Sequence, residues 1–311
     1  MSLSGEDLPP RSITRSGRYL PTSAGHGTPE QDDQTGLHMC MALIQNEAGL
    51  TWTGDQTDFL RNRLKTFCIE RKLATLLDLY FYLRHHPDGP AATRELVNLL
   101  TITETSFFRA TGQWEQFAQI LAEDILEVAL SRPRPKLLLP KPLRIWSAGC
   151  SSGEEPYTIL LTLLEAGLEP NQFSIFAWDI NAAMIARARR AEFPGWTLRR
   201  VTDKLLAKYF QPTPAGEFRL SPAAADAVEF QCENLLGENV RFPADLDFIF
   251  CRNVLIYFSA EDARRLVLQF LNALRPGGVL FLSPTESLHH MTGVFEVRVG
   301  KNSVCYQKPR T

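Results

Sequence analysis

No stretch of this 311-residue chain approaches the ~18 uninterrupted apolar residues that a membrane-spanning helix needs, so no insertion into a bilayer is expected. No CxxC pair joins any of the six cysteines, Cys40, Cys68, Cys150, Cys232, Cys251 and Cys305. That excludes the common zinc spacing and a short-chain disulfide framework, and makes reduced thiols in the cytoplasm the expectation. Neither sign of charge dominates: 33 Lys and Arg stand against 35 Asp and Glu, a net charge of -2. No global positive field therefore draws nucleic acid or anionic lipid. The six histidines form no ligand pattern, and the adjacent pairs His85-His86 and His289-His290 read as loop residues, so no metal site is expected. A Ser/His/Asp constellation is missing as well. What is present, 44% apolar and 22% charged residues, is the composition of an ordinary globular protein, at a length where a single core nears its practical limit and two folding units are expected.

Residues 1–38 mix Ser, Gly, Pro, Thr, Asp and Gln without apolar periodicity and read as a disordered leader that is not a secretory signal. Over 39–131 apolar residues recur at helical spacing: Phe59, Leu60, Leu64, Phe67 and Cys68, then Leu76, Leu77, Tyr80, Phe81 and Leu83. This predicts an all-helical N-terminal domain. The segment 132–142 carries four prolines, which cannot continue a helix, and reads as a linker. Over 143–311 short apolar runs alternate with helical stretches, as in an α/β unit with a mostly parallel sheet covered on both faces. Val294–Val299 and Val304–Gln307, flanking Gly300-Lys-Asn-Ser303, predict a closing antiparallel hairpin.

The most informative segment is Ile145-Trp-Ser-Ala-Gly-Cys-Ser-Ser-Gly-Glu-Glu-Pro-Tyr157, a strand running through small residues into a helix with Pro156 in its first turn. In an open parallel sheet that turn lies at the carboxyl edge, where ligands bind, and Gly149 and Gly153 allow close approach. A glycine turn that merely packs helix on strand has the same spacing. Glu154 and Glu155 stand at the helix start and would repel a phosphate, so the turn suits a cationic ligand better. Asp179 ends the second strand, where a carboxylate accepts from both hydroxyls of a ribose; the same position would also cap the following helix. A ribose-bearing cation without phosphate suggests S-adenosylmethionine.

Four segments, Thr105-Ser-Phe-Phe-Arg109, Trp146–Tyr157, Asn234-Leu-Leu236 and Phe250-Cys-Arg-Asn-Val-Leu-Ile-Tyr257, together resemble the CheR-type chemotaxis receptor methyltransferases, in order and with family-like spacing from about Ile44 to the C-terminus. The resemblance implies a Rossmann-like methyltransferase domain behind the helical domain, with a small antiparallel subdomain inserted at 211–233. It implies S-adenosylmethionine as cofactor, S-adenosylhomocysteine as product, and methyl esterification of glutamate side chains on the cytoplasmic helices of a chemoreceptor. Residue by residue, it assigns Glu154 to the methionine part of the cofactor and Asp179 to the ribose. Asn234, Leu235, Arg252 and Asn253 finish the pocket, and Thr103, Thr105 and Arg109 reach the cofactor from the helical side. Thr103 stands where the family commonly has asparagine. Glu286 matches a recurring family glutamate without an assigned role.

Methyl transfer to an ionised carboxylate needs alignment more than acid or base, which suits a chain with no catalytic triad. Arg109 would fork onto the acceptor carboxylate and Tyr257 would donate to it or line the methyl path. As alternatives, Arg109 pairs with Glu104 on the surface and Tyr257 is a half-buried packing aromatic. Trp178 reads as a core or adenine-wall aromatic, and Arg187, Arg189 and Arg190 as a solvated helix face. Docking to the receptor is expected through Arg61, Arg63, Lys65, Arg71 and Lys72, although Thr66, Phe67, Cys68 and Ile69 interrupt the arginine run of the family. Pro212, Pro214 and Pro222 in the subdomain argue against a tethering C-terminal receptor peptide. Two other readings remain at this stage: a methyltransferase of the same build acting on a different protein, and a non-catalytic S-adenosylmethionine-binding module.

Overall fold

The computed structural model describes residues 28–131, 141–288, 291 and 293–310, except Thr53 and Asp55. The chain divides into two units between Thr101 and Ile102.

The first unit holds helices α1 (Pro29–Ala48), α2 (Gln56–Glu70), α3 (Leu76–His85) and α4 (Gly89–Leu100). Thr28 caps α1 through a reciprocal box with Gln31, Pro29 presets the first turn, and Glu30 and Asp32 meet the positive end of the helix dipole. The leader expected over 1–38 is thus corrected for 29–38, which is helix; residues 1–27 lie outside the described part. Leu37, Cys40 and Ile44 of α1, Leu60, Leu64 and Phe67 of α2, and Leu76 and Leu79 of α3 are buried. Gly36 lets α1 meet the start of α3, since a Cβ there would lie 2.1 Å from the Leu77 nitrogen. Phe59, expected in the apolar stripe, is 41% exposed. His85 is not a loop residue but the last residue of α3, while His86 follows as its C-cap at the start of the loop, and their rings stack on Phe81 and Tyr82. His289 and His290 lie outside the described residues.

The second unit is a seven-stranded sheet of order β6-β2-β1-β7-β8-β10-β9. Its strands are β1 (Leu143–Ala148), β2 (Phe173–Asp179), β6 (Val228–Cys232), β7 (Leu246–Cys251), β8 (Leu274–Leu282), β9 (Glu296–Val299) and β10 (Val304–Gln307). β6, β2, β1, β7 and β8 run parallel, and β10 and β9 close the sheet as the expected antiparallel hairpin. Alternate residues feed two cores, as the two-residue period of a strand requires. Ile145, Ile175, Phe248 and Phe250 pack with α5 (Thr111–Ser131), α6 (Glu154–Glu165) and α7 (Ala182–Arg190). Trp146, Ile249, Cys251 and Leu280 pack with α10 (Ala260–Ala273). Trp178 belongs to this second core, 5.0 Å from Trp146.

Two expected boundaries move. Helix α5 belongs to the sheet unit and not to the helical one, because Trp114 stacks on Phe250 at 5.1 Å and Phe117 sits edge-on to Phe248 and Phe281. Each such aromatic pair adds about 0.5–1.5 kcal/mol beyond its buried area. The division therefore precedes the 132–142 segment, of which 132–140 lie outside the described residues. The small antiparallel sheet joins β3 (Glu192–Pro194), β4 (Phe210–Pro212) and β5 (Glu217–Leu220) in the order β3-β5-β4. It starts before 211 and ends before 228, since Val228 and Phe230 are buried and β6 pairs parallel with β2 in the main sheet.

Candidate active site

β1, β2, β6 and β7 all deliver their carboxyl ends to one edge of the sheet in the second unit, and the residues singled out from the sequence gather there. After β1, the Gly149 and Cys150 amides both donate to the Trp178 carbonyl, at 2.8 and 2.9 Å, which ties the turn to β2. Gly149 has φ 90, and a Cβ there would come within 2.3 Å of Val254. This position therefore admits only glycine without displacing the loop after β7.

Asp179 receives the turn. Its Oδ2 accepts from the Ser151 amide at 2.8 Å and its Oδ1 from the Asn181 amide at 2.8 Å. The cap of α7 is Asn181 itself, accepting from the Met184 amide, so capping does not explain Asp179. Each Asp179 oxygen keeps a further lone pair for an outside donor. Burial raises its pKa, with the two amide bonds opposing. Glu154 is buried at the first turn of α6 and accepts from the Ser152 hydroxyl at 2.7 Å. Burial raises its pKa too, opposed by that bond and by Arg187, which is half-buried and not part of a fully solvated face. Two desolvated carboxylates at the carboxyl edge form a receptor for hydroxyl donors and positive charge. Asn234 follows β6, its Oδ1 holding the Leu236 amide at 2.9 Å, and Leu235 beside it is buried.

The segment carrying Thr103, Thr105 and Arg109 lies in this same unit and reaches the edge from its own side of the division, not from the helical unit. The Ser151 hydroxyl donates to the Thr103 carbonyl at 3.2 Å. The Phe107 amide donates to the Thr197 carbonyl at 3.0 Å, and the Phe108 amide to the Thr158 hydroxyl at 3.2 Å. That hydroxyl itself donates to the Glu154 carbonyl at 2.6 Å, so the cofactor turn and the Arg109 segment share a support. Phe108 (φ 51) and Ala110 (φ 58), flanking Arg109, occupy the left-handed region. Such backbone costs about 1–3 kcal/mol per residue and persists where surroundings impose it, typically at functional sites. The Arg109 side chain donates to the Glu104 main-chain carbonyl at 3.0 Å instead of pairing with its carboxylate. It lies close enough to Tyr257 to oppose the rise that burial gives that phenol's pKa.

Two residues take roles the sequence did not reveal. Glu286 accepts four backbone amides at 2.9 Å: Asn253 and Ser283 on one oxygen, Val254 and Leu255 on the other. All four lone-pair directions of the carboxylate are used, and the loop from Asn253 (φ 59) towards Tyr257 is fixed by it. Arg252, assigned to the cofactor pocket by resemblance, is buried and bonded to protein on every nitrogen. Nε donates to Gln113 Oε1 at 2.7 Å, Nη1 to Glu155 Oε2 at 3.2 Å and Nη2 to the Arg109 carbonyl. Neither Gln113 nor Glu155 carries a sequence signal for this, because both contacts join segments far apart in the chain.

A family model described as CheR methyltransferase, SAM binding domain, matches residues 103–304. The chain belongs to the CheR methyltransferase family. The chemotaxis protein methyltransferase 2 of Vibrio cholerae is 35% identical over 257 residues, covering 79% of this chain and 86% of that protein. The chemotaxis protein methyltransferase of Vibrio parahaemolyticus is 35% identical over 82% of this chain and 90% of its own length. That of Salmonella typhimurium is 31% identical over 82% and 85%. S-adenosylmethionine is accordingly the cofactor of this CheR domain, which the half-satisfied Asp179 and the Glu154 carboxylate fit, while Glu155 faces Arg252 in the core and does not bear on the ligand's charge. The match begins where the second unit begins. Among the described residues no group of His, Cys, Asp and Glu is placed to hold a metal, and no helix is long and apolar enough to cross a membrane.

Proposed function

We propose that this methyltransferase esterifies glutamate side chains of a chemoreceptor-type signalling protein in the cytoplasm. When bound, S-adenosylmethionine supplies a methyl group already activated by a sulfonium charge. Glu154 and Asp179, after β1 and β2, would hold the cofactor together with Asn234 and Leu235 after β6, Asn253 after β7, and Thr103, Thr105 and Arg109 from the segment before α5. A glutamate acceptor has a pKa near ~4.3 and is ionised at neutral pH, so no residue needs to take a proton. Arg109 receives the carboxylate through its planar fork and Tyr257 adds one donor, which sets the oxygen that faces the methyl group. Alignment of this kind accounts for roughly 7–11 kcal/mol of a barrier. The observation that carries this reading is Arg109 between two left-handed residues, on the same support as Glu154 and within electrostatic range of Tyr257. Cell protein labelled from methyl-tritiated S-adenosylmethionine by the purified enzyme should release volatile methanol on mild base treatment. Label that resists base would be N-methylation and would rule out ester formation.

A second reading, transfer to a different protein acceptor, is favoured by the state of α2. Of its expected docking residues, Arg61 donates to Gln34 at 3.3 Å, Lys65 pairs with Asp33 at 3.1 Å and Arg71 with Glu95. Arg63 lies over the Phe59 ring at 5.2 Å. The positive surface offered to an acidic receptor helix is therefore smaller than the residue list implies. Recognition proceeds without a tethering peptide: β3 and β4 each end on a proline, Pro194 and Pro212, and so lack a donor that an added strand would use. Titration with C-terminal receptor peptides should give no binding at micromolar concentration. Binding that disappears when residues 211–227 are replaced would contradict this.

A further inference from the structure

We infer that the Arg252 side chain, with Gln113 and Glu155, is a positioning device for the Arg109 backbone. The inference rests on the proposed role of Arg109 as the acceptor clamp. Arg252 is 7% exposed and its three guanidinium nitrogens bond to three separate segments: Gln113 on α5, Glu155 on α6, and the Arg109 carbonyl in the loop before α5. It also lies over the Trp114 ring at 5.2 Å, and the Trp114 indole donates to the same Arg109 carbonyl at 2.9 Å. That carbonyl therefore carries two donors at the peptide between Arg109 and Ala110, next to the left-handed Ala110.

The anchors of Arg252 are themselves held. Glu155 accepts from the Ser147 hydroxyl of β1 at 2.7 Å, and Gln113 donates from its amide nitrogen to the Leu282 carbonyl at the end of β8. The guanidinium is thus fixed against the two strands that border β7, the strand it follows. A left-handed alanine beside a functional arginine relaxes unless something holds the peptide, and the planar fork of Arg252 does so together with the Trp114 indole. Its charge is balanced by Glu155 inside the core, which leaves the Arg109 guanidinium unpaired with carboxylate and available to an outside anion.

Lysine at 252 separates the fork from the charge. Arg252→Lys keeps a cation for Glu155 but cannot reach Gln113 and the Arg109 carbonyl together. We expect it to fold, to bind S-adenosylmethionine with unchanged affinity by calorimetry, and to lose turnover with a protein acceptor by on the order of tenfold to a hundredfold. Amide hydrogen exchange should accelerate in residues 105–111 and stay unchanged in the 149–155 turn. The neutral pair Glu155→Met/Arg252→Met, which leaves no buried charge, should behave the same way, and Gln113→Leu should show a weaker form of it. Cofactor affinity lowered in Arg252→Lys with turnover preserved at saturating cofactor would overturn the inference, as would unchanged exchange in 105–111. Failure of the wild-type protein to esterify any acceptor would instead count against the proposed function, while the exchange measurement still decides the role of Arg252.

Discussion

Arg109→Ala is expected to lower methyl transfer at saturating cofactor by roughly a hundredfold or more while leaving the fold intact. The side chain builds no core: it is half-buried and donates to the Glu104 main-chain carbonyl, a bond that water replaces at little cost. The backbone beneath it is held by Thr158, Thr197, Trp114 and Arg252, none of which depends on the guanidinium of residue 109. Loss of the fork therefore removes the acceptor's alignment and little else. The measurement is turnover at saturating cofactor together with thermal unfolding and calorimetric binding. If Arg109→Ala weakens only cofactor binding and keeps turnover at saturation, the clamp role is wrong.

Asp179→Ala is expected to weaken S-adenosylmethionine by about 2–4 kcal/mol, a factor of roughly thirty to a thousand, because two hydrogen bonds to a charged acceptor are lost. The same site gives a signed expectation for stability. Burial raises the pKa of Asp179 and Glu154 in the folded protein above their unfolded values. Between the unfolded and folded values the native state binds more protons, so stability falls as pH rises through that window, and at neutral pH both carboxylates are a net cost to the ligand-free fold. Glu154→Gln, which keeps an oxygen for the Ser152 hydroxyl, should therefore raise the unfolding temperature of the free protein while weakening the cofactor, whereas Asp179→Asn gains nothing because its amide nitrogen would face a backbone N–H. Affinity for S-adenosylmethionine should fall as pH drops below the raised Asp179 pKa, since the protonated group loses its charge. An Asp179→Asn protein that binds S-adenosylmethionine as tightly as wild type would remove Asp179 from the pocket.

Much of this architecture was legible before any coordinates. The strand, glycine turn and acidic helix start at 145–157, the carboxylate closing β2 and the final hairpin depend on local period and turn chemistry, which sequence carries directly. The features misplaced depend on partners distant in sequence. Helix α5 resembles any amphipathic helix until Phe248, Phe250 and Phe281 are seen to receive Trp114 and Phe117. The helical start at Pro29 did have a local sign, the Thr28–Gln31 capping box, which the polar composition around it concealed. Val228–Cys232 reads as part of the small subdomain until its register with β2 is known. Arg252 and Glu286 stand in recognisable motifs, but a motif does not say whether a side chain faces a ligand or the protein. Here one fixes the Arg109 peptide and the other the loop of Asn253.

The central claim is transfer of a methyl group to a glutamate carboxylate aligned by Arg109. Its most direct test is a single-turnover reaction of the purified protein with methyl-labelled S-adenosylmethionine and a chemoreceptor cytoplasmic fragment, followed by mapping of the modified residue by tandem mass spectrometry. We expect the label on glutamate side chains as base-labile ester, with the Arg109→Ala protein, saturated with cofactor, leaving the fragment unmodified. Label on lysine, arginine or a thiol, or equal labelling by the Arg109→Ala protein, would contradict the account.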